Sequence, residues 1–175
     1  SGVTFEASTN RLNDDDNFPQ SLAFSTDGLK MFIAGAENDV INQYSLTTAF
    51  DIRDGISFDN VAFSVANEEG FPTGLAFSAN GLRMFVVGTD NTNVSQYRLT
   101  TPFDLSSGVN LLDVDLDVGG EESAPREIAF SEDGARLFVT GNGSDAVNQY
   151  DLGVGSFEEN AANDGTMDGE VRISI

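Results

Sequence analysis

The chain contains no cysteine, no histidine and no tryptophan among its 175 residues. Without the first two it cannot build the cysteine or histidine nucleophile and base pairs that many hydrolases use. Thiolate or imidazole metal sites, and haem or iron-sulfur ligation, are excluded for the same reason. The redox compartment stays open, because a cysteine-free protein can exist inside or outside a cell.

Positive charge is also scarce, since 8 Lys and Arg residues face 29 Asp and Glu residues. The formal net charge of -21 argues against binding to nucleic acid or to anionic membranes, because both attract cationic patches. It favours a soluble, self-repelling particle in a salty medium, and we expect a marine or halophilic source.

Long apolar runs are missing as well. No run approaches the roughly 20 residues of a membrane span, and no signal-peptide core is present. Because the chain begins at Ser1 rather than at a methionine, we expect it to have been processed. We therefore predict an extracellular, cell-surface or virion location without membrane insertion.

What the chain does have is a repeat of 53 residues, in which ten positions are identical in all three copies without a gap. The first copy carries them at Pro19, Ala23, Phe24, Ser25, Gly28, Phe32, Gly35, Gln43, Tyr44 and Leu46. Such a period indicates a solenoid, a propeller or an array, in which each unit covers the apolar face of its neighbour. We divide the single repeat domain into an outer strand and acidic loop at 1–18 and repeats at 19–71, 72–124 and 125–175.

Each repeat predicts four antiparallel strands and no helix. In the first copy, short strands at Ser21–Ser25, Met31–Ala34 and Ile41–Leu46 are separated by an Asp-Gly turn and a polar loop. The continuous apolar run of the second strand indicates a central position in its sheet. A linker follows at 47–51, and the fourth strand is clearest at Leu112–Val118, where Asp113, Asp115 and Asp117 alternate with apolar residues.

This make-up is typical of β-propeller blades. The strings Ala23–Phe32 and Gln43–Asp51 resemble the propeller-type repeats of bacterial surface proteins and tailed-phage structural proteins. They are more distantly similar to YVTN and tryptophan-aspartate blades, although the chain has no Trp. The resemblance covers roughly residues 19 to 157 and implies an all-β propeller fold, with little about function.

Three blades are fewer than the roughly four to eight of a closed propeller. Two copies could close a six-bladed ring, the chain could be a piece of a larger protein, or the units could stack openly. Outer-strand candidates lie at Val3–Ser8, Ile56–Val65, Val109–Val118 and Val171–Ile175. Because this is one strand more than three blades need, we predict that the chain pairs with itself, as a homo-oligomer or polymer.

An acidic pair recurs before the first strand of each repeat. The six residues are Asp15, Asp16, Glu68, Glu69, Glu121 and Glu122. Paired carboxylates can bind Ca²⁺, which takes oxygen ligands, and calcium is the only cofactor that we consider. A solvated acidic loop is the simpler interpretation, because no loop carries the spaced Asp-x-Asp-x-Asp-Gly pattern.

Two other repeated features favour packing over chemistry. Lys30 and its equivalents Arg83 and Arg136 are expected to pair with local carboxylates. The repeated tyrosine, Tyr44 in the first copy, can serve as a sugar-stacking platform if it is exposed, but its alternation with leucine predicts burial between blades.

These features together predict a non-enzymatic structural protein that self-assembles through incomplete blades and terminal strands, as a filament or a multi-chain ring. A surface adhesin or carbohydrate-binding propeller is the alternative, with possible calcium dependence. A lactonase-like or glycosidase-like propeller ranks below both. Its acids must converge once in the channel, whereas the acids noted here recur in every copy.

Overall fold

The structure is a computed structural model that describes residues 5–6, 18–112 and 115–152. Blade 1 contains β1 (Pro19–Phe24), β2 (Lys30–Gly35), β3 (Val40–Thr48) and β4 (Asp51–Ser64). Blade 2 contains β5 (Pro72–Phe77), β6 (Arg83–Gly88), β7 (Asn93–Thr101), β8 (Asp104–Leu111) and the short β9 (Leu116–Asp117). Blade 3 contains β10 (Pro125–Phe130), β11 (Arg136–Gly141) and β12 (Val147–Asp151). All described strand pairs are antiparallel, and the predicted all-β fold of propeller-type blades is confirmed.

The β1–β2 turn explains why Asp or Asn followed by Gly recurs. Ser25 Oγ donates to Asp27 Oδ1 at 2.5 Å, and the same carboxylate oxygen accepts the Leu29 N–H at 3.0 Å. Gly28 has a φ of +70°, and a Cβ there would lie 2.4 Å from the Phe50 ring. The turn therefore requires glycine both for its backbone conformation and for its contact with the neighbouring β3–β4 turn.

The connection between the third and fourth strands differs from the prediction. Residues 47–51 are not a linker, because Thr48 pairs with Asp51 across a two-residue hairpin turn. In blade 2 the same turn starts β8 at Asp104, so the fourth strand precedes the predicted Leu112–Val118 segment. Of the described residues of that segment, 112 and 115–118, only Leu116 and Asp117 form a strand, which pairs with β7. The hairpin turn sets the start of the strand, and it overrides the later alternating pattern.

The blades pack face to face through apolar clusters. One cluster joins blade 1 residues such as Phe32, Ile41 and Val65 to blade 2 residues such as Tyr97 and Leu99. A second cluster joins blades 2 and 3 in the same way. The predicted central strand, β2, lies between β1 and β3, and its side chains from Met31 to Ala34 are buried. Burial of both faces accounts for its uninterrupted apolar run.

A polar link also crosses from blade 1 to blade 2. Gln43 is 2% exposed, and its Oε1 accepts the Leu105 N–H at 2.7 Å. Its Nε2 donates to Asp59 Oδ2 at 2.8 Å, and the same carboxylate oxygen accepts from Lys30 Nζ at 2.6 Å. Burial by itself raises the pKa of Asp59, but the hydrogen bonds from Lys30, Gln43 and Ser45 outweigh it and lower the pKa. The expected pairing of Lys30 with a local carboxylate is thus observed.

Blade 3 leaves part of its outward face exposed. Val147 is 67% exposed, whereas the equivalent Ile41 and Val94, which the next blade covers, are 0% and 3% exposed. The terminal strands predicted at Val3–Ser8 and Val171–Ile175 lie outside the described residues, apart from two residues of the first. Within the described part of the chain, no helix has the length and apolar character needed to cross a membrane.

Candidate functional site

The acidic pairs of blades 2 and 3 lie in the loops that lead into the innermost strands, whereas Asp15 and Asp16 lie outside the described residues. Glu69 is 2% exposed and Glu122 is 0% exposed. The expectation of solvated loop acids is therefore wrong for the second acid of these two pairs. Among residues 18–112 and 115–152, no three acidic side chains are grouped so that they could share a metal ion, and the calcium site stays a prediction.

Glu69 binds backbone instead of solvent. Its Oε1 accepts the Phe71 N–H at 2.9 Å and the Asp90 N–H at 3.0 Å, and its Oε2 accepts the Asn91 N–H at 3.1 Å. The carboxylate thus holds the β6–β7 loop against the entry to β5. Burial raises the pKa of Glu69, and the three N–H donors oppose that shift without cancelling it.

Glu122 repeats this arrangement one blade later. Its carboxylate accepts the N–H groups of Ala124, Gly143 and Ser144 at 2.7–3.2 Å, and the Ser144 hydroxyl at 2.7 Å. The extra hydroxyl is the largest influence, and the pKa of Glu122 is lowered. We call each carboxylate with its loop N–H donors an acidic clasp, and the two clasps are structural contacts rather than open ligand sites.

In the two described pairs, the first acid contacts the repeated tyrosine. Tyr97 donates to Glu68 Oε2 at 3.2 Å, and Tyr150 donates to Glu121 Oε2 at 3.4 Å. Burial is the main cause that raises the pKa of Tyr97, and burial with the neighbouring Glu121 raises the pKa of Tyr150 to about 12. Tyr97 is 1% exposed, so packing between blades is confirmed there and a sugar-stacking role is not available to its ring.

A different constellation lies where the innermost strands converge. Ser21, Gly74 and Glu127 occupy the same position of β1, β5 and β10. The Ser21 hydroxyl accepts the Leu75 N–H at 3.2 Å and donates to Glu127 Oε2 at 3.5 Å. A side chain of blade 3 therefore contacts a side chain of blade 1 directly, beside the first strand of blade 2.

Gly74 allows this approach because it has no side chain. A Cβ at Gly74 would lie 2.7 Å from Val87 Cγ1, 3.0 Å from Glu127 Cα and 3.1 Å from the Arg126 carbonyl oxygen. Any larger residue would push β10 away from β5 and widen the Ser21–Glu127 contact. The contact between the serine and the glutamate therefore depends on the glycine that lies between them at the same repeat position.

Glu127 combines an exposed side chain with a raised carboxyl pKa. The residue as a whole is exposed, yet partial burial by the converging strands raises the pKa of Glu127, and the hydrogen bonds from the Ile128 N–H and Ser21 only partly oppose the shift. Within β1, β5 and β10 it is the only carboxylate. A raised carboxyl pKa brings the group closer to the range useful for proton transfer near neutral pH.

Sequence reasoning missed Glu127 because it searched for acids that recur. The signal that could have found it is a repeat position at which the copies differ. Ser21 in the first copy and Gly74 in the second correspond there to an acid in the third. Glu127 is thus an acid of one copy only, but the converging acids required of an enzymatic propeller are not formed by β1, β5 and β10, on which it is the only carboxylate.

A separate cleft of about 650 Å³ lies between the β5–β6 turn and the β10–β11 turn. Its floor includes Phe85 and Phe130, whose ring centroids are 4.6 Å apart. Its rim carries the exposed turn residues Glu132 and Asp133. Glu127 does not line this cleft, so the cleft and the carboxylate with the raised pKa lie in different places.

Comparisons with known proteins support the fold. No protein-family profile and no curated protein matches the sequence. Among solved structures, the chain is similar to a candidate 6-phosphogluconolactonase from Bacteroides uniformis, with a TM-score of 0.57, 16% identity and coverage of 78% of this chain and 38% of that one. It is also similar to the periplasmic gluconolactonase of Pseudomonas aeruginosa, with a TM-score of 0.56, 22% identity and coverage of 80% and 37%. The Swd1 β-propeller domain of Myceliophteria thermophila gives a TM-score of 0.53, 18% identity and coverage of 75% and 37%.

The chain thus spans 37% to 38% of the length of these three structures. At this identity the likeness shows the β-propeller fold alone. Lactonase-type propellers recur among these neighbours, and this finding contradicts the prediction that a non-enzymatic self-assembly function comes first.

Proposed function

We propose that the chain forms part of a hydrolytic propeller that opens lactone rings, with Glu127 as the general base. The observation that carries this proposal is the contact of Glu127 with Ser21 where the innermost strands converge. The raised pKa of Glu127 supports it. The lactonases among the solved neighbours supply the substrate class.

The chemistry needs one base and one water. Glu127 takes a proton from water as the water oxygen bonds to the lactone carbonyl carbon. The bond from that carbon to the ring oxygen then breaks, and the proton returns from Glu127 to the departing oxygen, which leaves an open hydroxy acid. Ser21 donates its hydroxyl hydrogen to Glu127 Oε2, and the Ile128 N–H donates to Oε1 at 3.1 Å. These two hydrogen bonds hold the carboxylate in place, and a remaining lone pair accepts the proton from water.

The proposal sets the direction of the pH dependence. Glu127 must be ionised to accept a proton, so hydrolysis falls as the pH drops through its raised pKa and levels off above it. Substitution of Glu127 by Gln should remove this acid limb. The expected loss of rate enhancement is about 10²- to 10⁴-fold, which is the usual contribution of a positioned base.

The test is hydrolysis of gluconolactone and its 6-phosphate by the full chain, with the uncatalysed rate subtracted at each pH. Glu132→Gln is the matched control, because Glu132 is an exposed turn acid of the same blade. We expect Glu127→Gln to lose the acceleration and Glu132→Gln to keep it. The absence of any acceleration by the unaltered chain, or equal rates for both variants, would refute the proposal.

A further inference from the structure

Each joint between neighbouring blades contains one aromatic contact at the same repeat positions. Phe32 on the second strand of blade 1 packs against Phe77 on the first strand of blade 2, with ring centroids 4.5 Å apart. Phe85 and Phe130 make the same contact between blades 2 and 3 at 4.6 Å. The second strand of one blade thus supplies a phenyl ring that packs on the first strand of the next blade.

The first and the last blade each keep one half of this contact unused. Blade 3 carries Phe138 at the second-strand position, and blade 1 carries Phe24 at the first-strand position. Both side chains are half-buried. Within the described residues, neither phenyl ring packs on a ring of another blade. The chain therefore holds both halves of a third aromatic joint, one at each end.

An aliphatic pair repeats in the same way. Ile41 of blade 1 and Leu75 of blade 2 are buried in one cluster, and their equivalents are buried together one blade later. All four of these side chains are at most 3% exposed. The two members that remain are Val147 of blade 3 and Leu22 of blade 1, which are 67% and 53% exposed. The aliphatic pair and the aromatic pair thus mark the same two open surfaces.

We propose that the open face of blade 3 binds blade 1 of a second copy, so that two chains form one closed six-bladed propeller. The two surfaces are the complementary halves of a joint that the chain already makes twice, and a second copy supplies both missing side chains together. Six blades lie within the roughly four to eight of closed propellers. The chain alone spans 37% to 38% of the length of the solved structures compared above. The inference does not depend on the proposed function.

On blade 1 the contact is confined to the inner strand and its turns. Farther out on the same face, side chains such as Met31 and Tyr44 are already buried in a cluster within blade 1. The surface left for a partner consists of Leu22, Phe24 and Phe50. Phe50 extends it, because its ring centroid lies 5.5 Å from that of Phe24 and the residue is 60% exposed.

Charge determines the conditions under which two copies meet. Each chain carries a formal net charge of -21, so two copies repel each other at low salt. Salt shortens the range of this repulsion to about 8 Å at 0.15 M, whereas the apolar contacts do not depend on charge. We therefore expect the two-chain species to increase with NaCl concentration, which is the opposite of the behaviour of an association held by ion pairs.

Sedimentation velocity of the 175-residue chain tests the inference over a range of protein and NaCl concentrations. We expect a discrete species of twice the 18.6 kDa chain mass. Val147→Asp and Leu22→Asp each place a charge in the joint and should leave a monomer where the unaltered chain is paired. Ala79→Asp is the matched control, because it adds the same charge at an exposed turn of blade 2 and should not change the mass.

Mixing the two variants identifies the surfaces. A pair with one chain of each variant keeps one unaltered joint, between blade 3 of the Leu22→Asp chain and blade 1 of the Val147→Asp chain. We expect the mixture to regain a two-chain species that neither variant forms alone. It should need a higher protein concentration than the unaltered chain, because one joint holds it instead of two.

Four results would overturn the inference. A chain that stays monomeric at every protein and salt concentration would assign the open faces to other blades of a longer polypeptide. Open polymers would contradict the closed pair. A Leu22→Asp chain that still pairs would place blade 1 outside the joint, and a mixture that never regains the pair would do the same. Urea midpoints confirm that each variant is folded before its mass is measured.

Discussion

Replacement of Glu69 by Ala tests the acidic clasp directly. The substitution removes the acceptor of three backbone N–H groups, which belong to Phe71, Asp90 and Asn91. A donor left unpaired in a buried place costs about 1–3 kcal/mol. Glu69 itself is 2% exposed, but Asp90 and Asn91 are exposed residues whose N–H groups can bond to water once the carboxylate is gone. We therefore expect a total loss of about 1–3 kcal/mol, which is still a sizeable share of the 5–15 kcal/mol typical of a folded domain.

The assay is urea unfolding followed by circular dichroism, together with amide hydrogen exchange. With a denaturant slope of about 1–3 kcal/mol per molar urea, the midpoint should fall by about 1 M. The amides of Asp90 and Asn91 should exchange faster, whereas amides in the centre of β6 should change less. Glu132→Ala, at an exposed turn, is the control for the loss of one negative charge. A midpoint for Glu69→Ala that equals that of the control would refute the reasoning.

Two further predictions use pairs of matched sites. Gly74→Ala places a methyl group 2.7 Å from a valine methyl of the adjoining strand. Overpacking of this kind costs about 1–3 kcal/mol. Gly120→Ala, with no atom within 4 Å of its Cβ, should be nearly neutral when the stability of both variants is measured by thermal unfolding. Gln43→Leu removes the acceptor that lies 2.7 Å from a backbone N–H of blade 2 and should cost about 1–3 kcal/mol. The equivalent Gln149→Leu, on an exposed stretch of β12, should leave the urea midpoint unchanged, and similar losses at both glutamines would contradict the role of the link between blades.

The sequence predicted the blades because repetition, turn chemistry and apolar runs all have local causes. Asp27 and Gly28 form a turn through their own backbone, and Met31–Ala34 is apolar because both of its faces are buried. The start of β8 was missed because the hairpin turn before Asp104 sets it, whereas the alternation at 112–118 suggested a later strand. At this strand, the geometry of the preceding turn determines the first residue, and the alternating sequence pattern does not.

The candidate site was harder to predict for two physical reasons. The partners of Glu69 are backbone N–H groups 21 and 22 residues away, and every non-proline residue carries such a donor, so no sequence pattern marks them. Glu127 meets Ser21 from 106 residues away, across a contact that depends on the missing side chain of Gly74. The residues shared by all three copies belong to the scaffold, whereas the proposed base stands at a position where the copies differ.

The acidic clasps also bear on how the chain folds. Each clasp joins residues about one strand hairpin apart, 21 or 22 positions along the chain. The side-chain links between blades described above span 52, 54, 62 and 106 positions. Short loops close at a smaller entropic cost than long ones. The individual blades should therefore form early, with their loops already fastened, and dock later, so that the rate-limiting step is the meeting of preformed sheets. In stopped-flow refolding, substitutions at the links between blades should slow folding more than equally destabilising substitutions within a clasp.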